Sequence, residues 1–354
     1  MAQRGESTRA EILSQPSVWA EALDAFRAQA ASVRALLNSQ GFERVIFTGC
    51  GSTHYLSMTA AALFQLLTGI PTQARPASEI VLFPDLVLAP KARTLLVAVS
   101  RSGTTTETVE AVRLFRARTG SAAITITCDG RSNLAQISDL VLAAEAAQEE
   151  SVAQTRSFTS MLLIAQALAA AAAQIDFNPL AQLPTLCQRL LTDYQAVAQQ
   201  LGEDMGIDQF FFLGSGLLYG TASEAMLKMK EMSLSHSEAF HVLEFRHGPM
   251  SMVTEQTLIA GLIAEDAAPH ELRVLGEMHA RGAHTLSLID GNTQASPGER
   301  RVVVQLQSGL PLWARPVLYM PVLQLLAYYR AMAKGQNPDR PTNLEAVVSL
   351  DKLV

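Results

Sequence analysis

The feature that most constrains this chain is a strand, glycine turn and helix pattern that occurs twice. Val45-Ile46-Phe47 runs into Thr48-Gly49-Cys50-Gly51-Ser52 and then a helical stretch, and Phe210-Phe211-Phe212-Leu213 runs into Gly214-Ser215-Gly216 and another. Each copy continues with an apolar strand beginning Thr-Leu, at Thr94-Leu95 and at Thr257-Leu258. Each then has a further strand ending in Asp-Gly, Ile124 to Gly130 and Leu286 to Gly291. Strands alternating with helices at this spacing predict two parallel sheets covered by helices, an α/β chain. Ala169 to Leu201, rich in Ala and Gln, becomes the mainly helical bridge between them. A chain of 354 residues has room for two domains of ordinary size. The expected boundaries are 1–30 for an N-terminal helical segment, 31–180 and 195–340 for the two α/β domains, and 341–354 for a tail.

Composition excludes several function classes. Apolar residues make up 49% of the chain and charged ones 17%, which predicts a large buried fraction and some apolar surface in a subunit interface. The net charge of -6 argues against a nucleic-acid partner. The opening MAQRGESTRAEILSQP lacks the apolar core of a signal peptide. Met161 to Ile175 is Ala-rich, interrupted by Gln166 and Gln174, and reads as a buried helix rather than a membrane span. Cys50, Cys128 and Cys187 lie far apart without metal or redox spacing, as suits a reducing cytoplasm. No cofactor, metal or membrane partner is expected.

The turn Ser100-Arg101-Ser102-Gly103-Thr104-Thr105 stands out between the apolar run Thr94 to Val99 and a helical period marked by Val109, Val112 and Phe115. Thr104 and Glu107 have the spacing of a capping box, which predicts the helix start at Thr104. Unpaired N–H groups and the helix dipole favour an anion at such a start, and hydroxyls and one guanidinium add donors. An ordinary βα turn capped by Ser and Thr would read the same way. The second half has Ala264-Glu265-Asp266-Ala267-Ala268-Pro269 at this place, where two carboxylates would repel an anion; one anion site per chain is expected. A dinucleotide site is poorly supported: Gly49-x-Gly51-x-x-His54 lacks the third small residue, and no Asp or Glu occurs between Glu43 and Glu79.

Glu224, Lys228 and Glu231 fall on one helical face at i, i+4 and i+7. They read either as a solvated ladder or as a site in which Glu231 is a base near the open end of a sheet. His236, His241 and His247 are spaced by five and six residues, unlike paired metal ligands on a helix. His247, in the Gly-Pro loop Phe245-Arg246-His247-Gly248-Pro249, suits proton traffic near neutral pH, although a loop histidine is commonly just exposed.

Together these motifs resemble the double sugar-isomerase (SIS) domain family, in particular the isomerase half of glucosamine-6-phosphate synthase and stand-alone amino-sugar-phosphate deaminases and isomerases. The likeness runs from about Phe42 to about Val348. It rests on Gly49-Cys50-Gly51-Ser52-Thr53, Ser100 to Thr105, Glu149 to Phe158, Leu227 to Glu231 and Glu244 to Pro249. The resemblance implies two tandem SIS domains, each a Rossmann-like, flavodoxin-type parallel sheet flanked by helices. It implies that Ser100, Arg101, Ser102 and Thr105, with Thr53, hold a sugar phosphate, and that Ser52, Val152 and Gln154 line the sugar chain. It makes Glu231 the carboxylate base, supported by Lys228, and His247 the ring-opening group, supplied by the partner subunit of a homodimer with shared active sites.

Two departures shape the expected activity. With the first strand near residue 45 and no N-terminal cysteine nucleophile, the chain is not expected to draw ammonia from glutamine. Ala346 stands where the synthase tail carries a Schiff-base lysine, with Lys352 six residues later. A lysine imine helps synthesis from a ketose more than deamination of a sugar that already carries nitrogen. The expectation is therefore a cytoplasmic deaminase or isomerase of an amino-sugar or ketohexose 6-phosphate. It would open the ring and move a proton between C1 and C2, as in converting glucosamine 6-phosphate to fructose 6-phosphate plus ammonia. The alternative is a phosphosugar sensor without turnover. The sequence leaves open the hexose, the choice between deaminase and pure isomerase, and whether Lys352 replaces the missing lysine.

Overall fold

The computed structural model describes residues 4–88 and 92–345. In chain order the elements are α1 (Glu6–Leu13), α2 (Gln15–Gln40), β1 (Arg44–Gly49), α3 (Ser52–Thr68), β2 (Thr72–Pro76), α4 (Ala77–Leu82), α5 (Pro84–Val87) and β3 (Thr94–Ser100). They continue with α6 (Thr106–Thr119), β4 (Ala123–Thr127), α7 (Asn133–Gln136), β5 (Leu140–Ala143), α8 (Arg156–Ala172) and α9 (Leu183–Glu203). The last set is β6 (Gln209–Gly214), α10 (Tyr219–Ser233), β7 (His236–Phe240), β8 (Thr257–Leu262), α11 (Ala268–His279), β9 (His284–Ile289), β10 (Arg301–Gln305) and α12 (Met320–Ala333). Two compact units result. The first comprises Ser14–Glu149 and Gln154–Pro184; the second takes α1, the segment Glu150–Ala153 and Thr185–Leu344. Helix α2 runs across residue 30, where an N-terminal segment was expected to end.

Each unit holds a five-stranded parallel sheet, in the orders β2-β1-β3-β4-β5 and β10-β9-β8-β6-β7. The second order is the first read backwards, so the repeat in the sequence is a repeat of the flavodoxin-type topology. Central strands are apolar because both faces are covered. All residues of β3, β4 and β8 are buried, as are five of the six in β1, β6 and β9. In the first unit, one sheet face packs Ile46, Leu96 and Ala98 against Ile80 of α4 and Val109, Val112 and Phe115 of α6. The other face takes Phe47 of β1, whose ring meets Phe64 of α3 edge-on at 5.9 Å. Helix α3 in turn packs on α8, whose residues Ser157 through Ala171 are all buried. The expected buried helix is therefore present, and among the described residues no helix is long and apolar enough to cross a membrane.

Phe47 is completely buried between sheet and helix. Phe47→Ala should cost about 3–5 kcal/mol of stability, the usual range for emptying a buried aromatic site. Chemical denaturation of the two proteins measures this, and a loss below about 1 kcal/mol would mean that the layer closes over the gap.

Candidate active site

In the first sheet β2 lies on one side of β1 and β3 on the other, so the chain leaves β1 and β3 in opposite directions. A crevice opens at the carboxyl ends of two strands that diverge in this way, and ligands of open α/β sheets collect there. Cys50 to Thr53 leave β1 at this point, and Arg101 to Thr105 leave β3. Gly51 has φ 55°, a left-handed conformation open to glycine, and it starts α3 with Ser52 and Thr53 buried in the first turn. The Thr53 hydroxyl accepts from the Cys50 N–H at 2.9 Å and lies 2.9 Å from the Cys50 carbonyl, to which it donates. Burial pushes the Cys50 thiol up to about 11, so it is a neutral thiol near pH 7.

The turn after β3 is built from its own hydroxyls. Ser100 Oγ accepts from the Gly103 N–H at 3.1 Å and sits 3.2 Å from Thr105 Oγ1. Ser102 Oγ accepts from the Thr104 N–H at 3.2 Å and the Thr104 hydroxyl at 3.0 Å. The capping box expected at Thr104 is not formed. Thr105 is the N-cap and α6 begins at Thr106. Two features account for the delay: the Thr104 hydroxyl is engaged with Ser102, and Gly103 holds φ 63°. A Cβ on Gly103 would run into the side chain of Ser132, so only glycine fits this turn.

Arg101 leaves the same turn with its side chain 11% exposed. Its Nη1 lies 3.5 Å from the carboxylate of Glu149, which is fully buried. Glu149 also accepts from the backbone N–H groups of Thr155 and Ser157 and from both hydroxyls. Gln154 is half-buried nearby in sequence, its Oε1 3.5 Å from the Ser157 hydroxyl. Glu149 was visible in the sequence as part of a motif, but its carboxylate had no role there.

The remaining candidates belong to the second unit. On α10, Lys228 is completely buried between Glu224, at 3.4 Å, and Glu231. Glu224 is also fully buried, while Glu231 keeps 17% of its side chain exposed. The solvated ladder is thus ruled out, because Glu224 and Lys228 are completely withdrawn from water. Two carboxylates share one ammonium, and the only member open to solvent is Glu231. His247 follows a short 3-10 turn, Glu244–Arg246, and is exposed, while the ring of His241 stacks on Tyr219 at 3.8 Å. Val152 is half-buried in Glu150–Ala153, and its N–H donates to the Asp339 carbonyl at 3.0 Å. Glu11 of α1 fixes that segment by accepting from the N–H groups of Glu150 (2.7 Å) and Ser151 (3.2 Å).

The turn after β8, counterpart of the hydroxyl turn, is filled by charge. Glu265 pairs with Arg315 at 2.5 Å, and Arg315 also reaches Asp290 at 3.3 Å. The cation there is already held by two carboxylates. Among the described residues no cluster of His, Cys, Asp and Glu could hold a metal ion. Ala346 and Lys352 lie outside the described residues.

Comparison with known proteins agrees with the repeat. A model of the SIS domain matches residues 23–171 and 207–329. The chain is 32% identical over 317 residues to glutamine–fructose-6-phosphate aminotransferase (isomerizing) of Legionella pneumophila, covering 87% of this chain and 51% of that protein. The chain thus spans about half the length of the curated relatives it matches. Among solved structures, glucosamine-6-phosphate deaminase from Thermotoga maritima is 29% identical with a TM-score of 0.73, covering 93% of this chain and 100% of that one. Tagatose-6-phosphate ketose/aldose isomerase from Escherichia coli is 25% identical with a TM-score of 0.84, covering 95% of each chain.

The buried charges on α10 make a direct prediction. Lys228→Met keeps the volume but takes the ammonium away from the fully buried Glu224 carboxylate. It should lower stability by about 3–5 kcal/mol, the cost of breaking a buried ion pair from one side. Denaturant unfolding near pH 7 reads the loss, and a change within about 1 kcal/mol would show that Glu224 and Glu231 do not depend on the ammonium.

Proposed function

Because this chain belongs to the SIS domain family, we propose that it is a phosphosugar deaminase or isomerase acting on an amino-sugar 6-phosphate or a ketohexose 6-phosphate. The observation that carries the reading is the presence, in one chain, of a hydroxyl-lined helix start and a buried Glu–Lys–Glu set with one accessible carboxylate. A binding module needs the first and has no use for the second, since burying charge costs stability. The names of the solved relatives, a glucosamine-6-phosphate deaminase and a ketose/aldose isomerase, are consistent with it.

In this reading Ser100, Arg101, Ser102, Thr105 and Thr53 hold the phosphate, and Ser52, Val152 and Gln154 line the sugar chain. Binding a remote phosphate fixes the reacting carbons without joining the chemistry. His247, contributed by the second subunit of a homodimer, exchanges a proton with the ring oxygens and opens the ring. In an open-chain amino sugar Glu231 then takes the proton from C2 and returns one to C1, the aldehyde becoming a hydroxyl; in a ketose it takes the proton from C1 and returns it to C2. Lys228 holds that carboxylate in place. For an amino sugar the product of the shift is an imine at C2, which water hydrolyses to the ketose phosphate and ammonia. Ala346, where the synthase-like tail would supply a lysine, favours deamination over synthesis, since the nitrogen is already on the substrate.

Glu231→Gln keeps the size of the side chain and removes the base. It should lower turnover of the responsive phosphosugar by ~10²-fold or more while leaving its binding nearly unchanged. His247→Ala should also be inactive, and mixing the two inactive proteins should restore activity in exchanged dimers, where one site is intact. Full activity in Glu231→Gln removes the base assignment. No recovery after verified subunit exchange removes the shared site.

A further inference from the structure

Glu149 is a fully buried carboxylate that the proton-transfer chemistry does not use. Its Oε1 accepts from the Thr155 N–H and hydroxyl, both at 2.7 Å, and from the Ser157 N–H at 3.2 Å. Its Oε2 accepts from the Ser157 hydroxyl and faces Arg101 Nη1 at 3.5 Å. The first four contacts come from the start of α8, whose unpaired N–H groups and dipole suit a carboxylate without any help from arginine. The fifth comes from the turn assigned to the phosphate. Arg101 is fixed at its other end as well, since its carbonyl accepts from the Cys128 N–H at 3.0 Å and the Thr127 hydroxyl at 3.2 Å. The charge of Glu149 also reaches Cys128, helping burial to raise that thiol above its ordinary range.

An arginine that closes on a ligand from a free stem loses rotamer freedom at the moment of binding. Arg101 has lost that freedom in the fold, because both its backbone and its guanidinium are tied. We propose that Glu149 is a positioning residue for phosphate recognition: held by the start of α8, it keeps the Arg101 guanidinium at the phosphate turn before the ligand arrives. The inference rests on the assignment of Ser100 to Thr105 to the phosphate. The planar guanidinium can face a carboxylate with one edge and offer the other to a phosphate, which a lysine ammonium cannot do in the same fixed geometry.

The test is a double-mutant cycle on the affinity for inorganic phosphate, measured by calorimetry alongside thermal melts. Arg101→Ala and Glu149→Gln should each weaken phosphate by about 10-fold, in the range of one charge-assisted hydrogen bond. The double variant should be no weaker than Arg101→Ala alone. Two outcomes overturn the proposal while leaving the phosphate turn assigned. In one, Glu149→Gln melts earlier but binds phosphate like wild type; in the other, the losses in the double variant simply add. If neither Arg101→Ala nor Ser102→Ala changes phosphate affinity, the assignment of the turn fails and this proposal falls with it. Should Glu149→Gln not fold, Thr155→Val removes one hydroxyl anchor of Glu149 without touching the turn. It should then weaken phosphate about threefold, and unchanged affinity overturns the proposal.

Discussion

A parallel sheet imposes the constraint on which everything else here depends. Each strand must be followed by a crossing over one face before the next begins, so all strands end on the same side. In both sheets the first strand has its successors on opposite sides, and the crevice at that reversal is where the chain concentrates its unusual residues. The first unit puts Gly51, Ser52, Thr53 and the Ser100–Thr105 turn there; the second puts Ser215 and Glu265 there. One scaffold, used twice, presents a hydroxyl-lined turn once and a carboxylate already paired with Arg315 the other time.

Burial decides what the charged residues can do. Surface ion pairs such as Arg27–Asp24 are worth little. Glu149, Glu224 and Lys228 are different, because their side chains are withdrawn from water and each must be compensated by named partners. Their cost makes sense where position and charge state are the product: one set fixes an arginine, the other leaves a single accessible carboxylate. Structural carboxylates also occur, as with Glu11, which holds the Glu150–Ala153 segment, so burial alone does not mark a catalytic group.

The central strands were legible because a strand covered on both faces must be a run of apolar residues, as in Thr94 to Val99 and Phe210 to Leu213. The edge strands β2, β5, β7 and β10 escaped the reading, since each has one neighbour and remains partly exposed, which dilutes the apolar signal. Strand β7 was read only as a histidine-rich stretch. The hydroxyl turn was legible as a helix start, but its register was not. Where the helix begins depends on Gly103 at positive φ and on Ser132 packed against it, and Ser132 lies far along the chain. For the same reason the face shared by Glu224, Lys228 and Glu231 could be read from spacing, while the burial of Glu224 and Lys228 could not. The roles of the site residues came from the family resemblance and stand as proposals.

The central claim is that this chain moves a proton on a phosphorylated sugar. Solvent-deuterium uptake tests it most directly: the protein is incubated in D2O with a panel of 6-phosphosugars and amino-sugar 6-phosphates, and label at C1 and C2 is followed by NMR together with ammonia release. The account predicts deuterium at C1 or C2 of at least one phosphorylated sugar and none in its unphosphorylated parent, with ammonia appearing when the substrate carries nitrogen at C2. Exchange without ammonia would make the protein an isomerase. Binding of a phosphosugar with no exchange at either carbon would contradict the account and leave a sensor in its place.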